Sequence, residues 1–324
     1  MKSTKSIPEK ILVIRFSSLG DIILSFTLLR KLRRKYPEAK IDFATKPEFA
    51  EAVKLCGITN EIILLNSGVK NLRQMIAGKK YDFIIDIHNN LKSIYVSLMN
   101  SHRIERVKKN RFRKFLLVNG KINLFNEIIP VYRKYLLAAR DLLKEDDLNF
   151  ETSELKFKEF VLPEKRYIVI APSSKHFTKT YPVSKFITLI NSLNETEVVL
   201  VGSDSETDKS ICTKIETECS GVINYCGRLE LQELVLVIMR SDLVISNDSA
   251  IMHLAEALNK KVVAIFGSTV KEFGFYPQLR TTKVFEQNGL TCRPCSHIGL
   301  PDCPVLSFAC MEKTTLKKED LKLN

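Results

Sequence analysis

At 324 residues the chain has the length of two ordinary domains. Hydrophobic residues make up 45% and charged residues 27%, the balance of a soluble globular protein with apolar surface for two cores. A formal charge of +13 favours anionic partners, whether nucleotide, phosphorylated sugar, membrane surface or nucleic acid, while no apolar run approaches the ~18 residues of a membrane span.

The polar start "MKSTKSIPEK" runs into an apolar segment without the pattern of a signal peptide. A cytoplasmic location is therefore expected, with the eight cysteines as free thiols rather than a disulfide framework. Strands are predicted at 11–16, 40–46, 61–66 and 81–88, separated by helical patterns such as 21–35 and 48–56. A long amphipathic helix is predicted from about 125 into the 140s, followed by an extended linker. The alternation then restarts, with strands at 166–172, 197–202, 242–247 and 262–267 and helices at 184–194, 205–218, 231–241 and 249–258. Alternating strands and helices define parallel α/β architecture. The expected organisation is two Rossmann-like parallel-sheet domains, 1–155 and 156–324, facing a cleft, with the last helix packing back on the first domain. Ligands of such sheets bind outside the carboxyl ends of the strands.

The first strand leads into "FSSLGD", which has neither the G-x-G-x-x-G nor the G-x-x-x-x-G-K-[ST] phosphate fingerprint. Asp21 either caps the following helix, where a carboxylate suits the macrodipole, or accepts a proton from an alcohol. On the second reading this half binds an acceptor hydroxyl and the nucleotide belongs elsewhere. The second half has the phosphate chemistry. "PSSKHFTKTYP" offers Ser173, Ser174, Lys175, Thr178, Lys179 and Thr180, as a polar loop or as a phosphate site. "SNDSAIMHLAEAL" opens a helix at Asp248, Ser249 and Ala250, and free N–H groups at a helix start suit an anion. His253, one turn inside, is either a core histidine or a ligand contact. Glu206, after "VGSDS", is either a helix N-terminal acid or a partner for two ribose hydroxyls. "CGRLELQEL" could edge an adenine. The chain has no D-x-D pair, so a departing diphosphate would rely on lysine and helix-dipole stabilisation rather than a metal.

Three segments, "IRFSSLGDIILSFTLLRKLRRKYPEAKIDF", "SNDSAIMHLAEALNKKVVAIFGST" and "CRPCSHIGLPDCPVLSFACM", together resemble the ADP-heptose:lipopolysaccharide heptosyltransferase family, in its order and over nearly the whole chain. The resemblance implies a GT-B glycosyltransferase of two Rossmann domains, inverting and with no cofactor or metal required for the reaction. It implies that Asp21 is the general base and that Lys179 contacts phosphate and sugar. Glu206 would hold the ribose, and the backbone at Leu229 would edge the adenine. Asp248, Ser249 and His253 match D-[ST]-G-x-x-H at sugar and diphosphate, and Ser173 and Ser174 resemble the hydroxyl pair near the phosphates. Ala250 departs from the pattern, since glycine is usual there and a methyl crowds the diphosphate. The implied partners are ADP-heptose and a lipid A–Kdo or inner-core lipopolysaccharide acceptor at the inner membrane face, and the implied process is lipopolysaccharide biosynthesis. The alternatives are a GT-B enzyme using another sugar nucleotide and a non-catalytic sugar-nucleotide-binding protein.

Two features lie outside this core. "SHRIERVKKNRFRKFLLV" gathers Arg103, Arg106, Lys108, Lys109, Arg111, Arg113 and Lys114 around Phe112 and Phe115. It is either a solvated basic face or, in the family context, a contact for the anionic acceptor or membrane surface. No motif accompanies it that would indicate nucleic acid. Cys292, Cys295, Cys303 and Cys310, spaced C-x2-C-x7-C-x6-C, are either free thiols or a structural zinc site.

Overall fold

The computed structural model describes residues 7–98, 100–101, 103–143, 148–193 and 196–321. The chain divides into two compact units, one formed by 1–109 and 131–156, the other by 110–130 and 157–324.

The first unit is a five-stranded parallel sheet built from β1 (Lys10–Ile14), β2 (Lys40–Thr45), β3 (Glu61–Leu64), β4 (Phe83–Asp86) and β5 (Arg103–Arg106), in the order β3-β2-β1-β4-β5. Ile14 at the end of β1 pairs with Ala44 on one side and Asp86 on the other. Central β1 is covered on both faces, so it reads as a continuous apolar run, and Ile11, Leu12, Val13 and Ile14 are wholly buried. Five helices cross between strands: α1 (Leu19–Leu24), α2 (Phe26–Lys35), α3 (Ala50–Cys56), α4 (Val69–Ala77) and α5 (Leu91–Ser97). The predicted helix 21–35 is thus two helices. Ser25 breaks it by turning its hydroxyl onto the Ile22 carbonyl at 2.6 Å, the local hydrogen bond that competes with helix continuation. After α6 (Arg111–Phe115) in the second unit, the chain returns as α7 (Val131–Leu137). The long helix predicted from 125 is therefore much shorter, because Pro130 precedes its start; residues 144–147 of that prediction lie outside the described residues. The following strand-like segment is tied to the first unit through Glu151, which accepts from Lys31 at 3.0 Å and Arg34 at 2.7 Å.

The second unit is a six-stranded parallel sheet of β6 (Tyr167–Ala171), β7 (Glu197–Leu200), β8 (Val222–Asn224), β9 (Leu243–Asn247), β10 (Val262–Phe266) and β11 (Lys283–Glu286), in the order β11-β10-β9-β6-β7-β8. Its helices are α8 (Val183–Asn191), α9 (Glu206–Glu218), α10 (Leu231–Arg240) and α11 (Ala250–Ala257). Strands β5, β8 and β11 were not predicted. β5 reads "RIER", β8 has three residues and β11 reads "KVFE", so none carries an apolar run. Leu321, in the last described helix (Lys318–Leu321), is buried in this unit's core with Cys310, Met311 and Leu316. Segment 110–130 is also fastened here: Lys121 Nζ donates to the carbonyls of Cys292 at 3.1 Å and Pro294 at 2.7 Å, and Asn123 donates to Glu272 at 3.0 Å.

Candidate active site

In the first sheet the strand order reverses between β1 and β4, and the crevice outside their carboxyl ends is where such a sheet takes a ligand. The loops after these two strands touch. Arg15 Nη1 donates to the Ile87 carbonyl at 2.8 Å, and the Phe16 and His88 rings lie 5.3 Å apart. Asp21 sits at this point. The helix cap is Ser18, whose backbone is extended, and Asp21 is the third helical residue. It is therefore not itself the cap, although it reaches back to the cap as an acidic third residue does.

The Asp21 carboxylate is buried and heavily engaged. Its Oδ2 accepts the Ser18 backbone N–H at 3.3 Å and the Ser18 hydroxyl at 2.9 Å, and pairs with Arg15 Nη2 at 2.5 Å. Oδ1 accepts the Tyr135 hydroxyl, from α7, at 2.7 Å. Burial pushes the Asp21 pKa up, but the Arg15 charge and the hydrogen bonds from Tyr135 and Ser18 outweigh it and hold the group below the ordinary carboxylate range. Burial first, opposed by Arg15 and reinforced by Asp21, pushes the Tyr135 hydroxyl well up, so it stays a donor. His88 is pushed down to about 3 by burial, then by the positive charges of Arg15 and Lys109, and so is a neutral ring. The site is an anion held ionised by one guanidinium. Oδ1 carries one of the contacts above and Oδ2 three, so acceptor capacity remains chiefly on Oδ1.

The second sheet reverses between β6 and β9, and the loops after these strands carry the other predicted residues. Asn247, at the end of β9, clips them together. Its Nδ2 donates to the Pro172 carbonyl at 2.9 Å, and its Oδ1 accepts the Tyr181 N–H at 3.0 Å. Lys179 and Asp248, distant in sequence, form an ion pair at 2.7 Å with side chains 14% and 4% exposed. The Thr269 hydroxyl donates to Asp248 Oδ2 at 2.7 Å. Gly267, just after β10, allows this closeness: a Cβ there would lie 2.7 Å from the Thr178 carbonyl oxygen, beside Lys179.

Ser249 precedes α11, its Oγ 2.9 Å from Ser246 Oγ, and Ala250 is the first helical residue. His253 is buried, its ring 6.1 Å from that of Phe275. Ser173 is buried and Ser174 half-buried, and Thr180 Oγ1 donates to the Ser174 carbonyl at 3.5 Å. Glu206 opens α9 with a side chain 96% exposed, and Leu229 is half-buried between β8 and α10. These last two share the carboxyl edge of the sheet with the Lys179–Asp248 pair.

The basic run is divided between the two units. Arg103 and Arg106 belong to β5 in the first unit, where Arg103 lies over the Phe83 ring at 5.1 Å and Arg106 donates to Ser97 Oγ at 2.7 Å and pairs with Asp86 at 3.6 Å. Lys108 is exposed and Lys109 half-buried at the end of that unit. Arg111 and Arg113, both exposed, stand on α6 in the second unit with Phe112 and Phe115, which are 69% and 61% exposed. Sequence reasoning also missed Arg15, Tyr135, Asn247 and Thr269. A charged residue ending an apolar strand was a visible signal for Arg15. Nothing local marks Tyr135, 114 residues from its partner.

Two all-parallel α/β units, each with its polar residues gathered at the reversal of its sheet, make a glycosyltransferase of GT-B class. The profile of glycosyltransferase family 9 (heptosyltransferase) matches residues 69–301, and the chain belongs to that family. It is similar to lipopolysaccharide heptosyltransferase 3 of Escherichia coli, 26% identical over 278 residues that cover 77% of this chain and 81% of that protein. It is likewise similar to lipopolysaccharide heptosyltransferase 2 of Escherichia coli strain K12, 26% identical over 294 residues covering 82% and 84%. The solved structure of E. coli ADP-heptose lps heptosyltransferase II superposes with a TM-score of 0.69 at 25% identity, covering 94% of this chain and 98% of that one. No helix among the described residues is long and apolar enough to cross a membrane.

Proposed function

We propose that the chain transfers a heptose from ADP-heptose to a hydroxyl of the lipopolysaccharide inner core, by single in-line displacement with inversion. Asp21 accepts the proton of the attacking hydroxyl. Lys179 and the α11 start at Ser249 and Ala250 stabilise the departing ADP, with Glu206 on the ribose, the Leu229 backbone at the adenine, and Ser173, Ser174, Asp248 and His253 around diphosphate and sugar. The observation that carries the reading is the difference between the two sheet reversals: at the first, a carboxylate paired with Arg15 and with acceptor capacity left on Oδ1; at the second, a lysine paired with Asp248 beside a helix start. A carboxylate repels diphosphate and attracts a hydroxyl proton, whereas a lysine and free helix N–H groups do the reverse. The names of the relatives support the heptosyl donor and the lipopolysaccharide acceptor. Work at the inner face of a membrane follows from such an acceptor, and the exposed Phe112 and Phe115 beside Arg111 and Arg113 support it.

The test is Asp21→Ala in protein shown to fold and to bind ADP. Transfer to truncated lipopolysaccharides is expected to fall roughly 10²–10⁴-fold, the usual worth of a positioned acid–base group, with ADP affinity retained. Near wild-type transfer would sink the assignment. A second reading, another sugar nucleotide as donor, rests on Ala250 at the first position of α11. A thermal-shift panel of ADP, UDP, GDP and CDP separates the two readings: preference for ADP supports the heptosyl donor.

A further inference from the structure

Residues 287–308, between β11 and the short helix Ala309–Glu312, contain no helix or strand. Unstructured stretches beyond ~12–15 residues inside a compact unit are uncommon unless something fixes them. Cys292, Cys295 and Cys303 are half-buried free thiols in this stretch, and among the described residues no group of Cys, His, Asp or Glu side chains converges to hold a metal ion. Arg293 fastens its first part, with a side chain only 6% exposed. A buried guanidinium needs an opposite charge and acceptors for its fork of N–H groups, and Arg293 has both. Nη2 pairs with the Glu286 carboxylate and donates to the Tyr276 hydroxyl at 3.1 Å, and Nη1 donates to the Gln287 carbonyl at 3.0 Å. Nε and Nη2 both donate to the Thr269 carbonyl, at 3.1 and 2.7 Å. Burial opposes the charge, but Tyr276 and Glu286 outweigh it and keep the group protonated.

Two of these partners lead to the donor-side residues. The carbonyl of Thr269 accepts from Arg293, and its hydroxyl donates at 2.7 Å to Asp248 Oδ2, the oxygen that pairs with Lys179 at 2.7 Å. Tyr276 lays its ring 4.2 Å from that of Phe266 at the end of β10, and its hydroxyl donates to Glu286, the register partner of Phe266 on β11. Phe275, the residue before it, has its ring 6.1 Å from that of His253. The far side of the same turn hangs on Glu256, about one helical turn past His253 in α11. Glu256 accepts the N–H groups of Gln278 at 2.9 Å and Leu279 at 3.0 Å. The segment that carries Phe275 is thus held at two points, by Glu256 and by the Arg293–Glu286 pair.

We propose that Arg293 is a positioning residue of the donor site, setting Asp248 and Lys179 through Thr269, and His253 through Tyr276 and Phe275. Both branches leave from one planar group, so moving the guanidinium moves the Lys179–Asp248 pair and the histidine together. Lysine is no substitute: a point charge can reach Glu286 or the Thr269 carbonyl but lacks the rigid fork that holds hydroxyl, carboxylate and carbonyls at once. The role in transfer rests on the donor-site reading above, whereas the setting of the His253 ring does not.

The experiment uses the full chain with 13C-labelled histidine. The His253 ring resonance, assigned among the five histidines through His253→Gln, reports how that ring is set. Arg293→Lys is expected to move the resonance, to weaken ADP binding several-fold and to lower transfer roughly 10–10²-fold, since a misplacement of about 1 Å can cost about 10²-fold. Thr269→Val keeps the carbonyl and removes the hydroxyl, so it should weaken ADP binding and leave the resonance in place. Tyr276→Phe should move the resonance. Arg293→Lys combined with Thr269→Val should weaken ADP binding by less than the product of the separate effects, because the two lie on one branch. Arg166→Lys, in the exposed pair with Asp242, is the control that leaves resonance, affinity and transfer unchanged. A lower Tm in Arg293→Lys with resonance and ADP affinity unchanged makes the residue structural only and overturns the proposal. If that variant fails to fold, the same silence in both Thr269→Val and Tyr276→Phe overturns it. A wild-type chain that binds no ADP overturns the donor-site reading instead, and the His253 resonance still decides the branch through Tyr276.

Discussion

After Arg15, Tyr135 is the side chain that most strengthens the ionised form of Asp21. Its hydroxyl supplies the hydrogen bond on Oδ1, the oxygen with acceptor capacity left. Removing that donor in Tyr135→Phe takes away a contact that favours the ionised carboxylate, so the Asp21 pKa should rise toward its ordinary value. The acid limb of the transfer rate is expected to lie below the ordinary Asp range in the wild type and to move to higher pH in the variant; a profile that does not shift would separate Tyr135 from the chemistry. Stability follows the same sign. A depressed native pKa contributes stability that is present above the unfolded value of about 3.9 and is lost as pH falls through the native one. Acid unfolding of Tyr135→Phe should therefore begin at higher pH than that of the wild type, measured by circular dichroism across the acid range.

Each candidate site is set by a strand end and the loop beside it, and Asn247 shows what holds such a junction. Its side chain joins the end of β9 to the loop after β6 through Pro172 and Tyr181. Asn247→Ala leaves those buried groups unsatisfied, at roughly 1–3 kcal/mol each. A fall in the denaturant midpoint and a weaker ADP affinity are expected together, because Lys179 lies in the loop that is released. The strands that carry apolar runs were legible in the sequence, since most of their positions are buried and apolar. β5, β8 and β11 were not, because their partners rather than their composition make them strands. The site divides in the same way. Asp21, Lys179 and Asp248 could be read from their motifs, and the Lys179–Asp248 contact follows from the sheet order. Tyr135 could not, since its helix reaches Asp21 only through tertiary packing. The basic run could not be divided from the sequence, since adjacency joins Arg103 and Arg106 of the first sheet to Arg111 and Arg113 on α6 of the other unit.

For the whole molecule, a charge of +13 with two exposed phenylalanines on one basic helix predicts binding to anionic vesicles and not to neutral ones. Sedimentation should show binding that weakens steeply as the Debye length shrinks from about 10 Å at 0.1 M salt to about 3 Å at 1 M. Phe112→Ser with Phe115→Ser should reduce it further at constant charge, and equal binding to neutral vesicles would contradict an electrostatic contact. The division of the chain has another consequence. Because 110–130 belongs with 157–324, the chain passes between its units three times, at 109/110, 130/131 and 156/157. A gene cut once near 156 therefore yields no clean halves. The amino-terminal fragment keeps Phe112 and Phe115 but loses the surface that α6 belongs to, and the carboxyl-terminal fragment loses Lys121 and Asn123 from its own packing. Two such fragments should behave poorly alone and regain solubility when co-expressed. A stand-alone second unit would need 110–130 grafted ahead of residue 157, a splice that follows the packing and not the order of the codons.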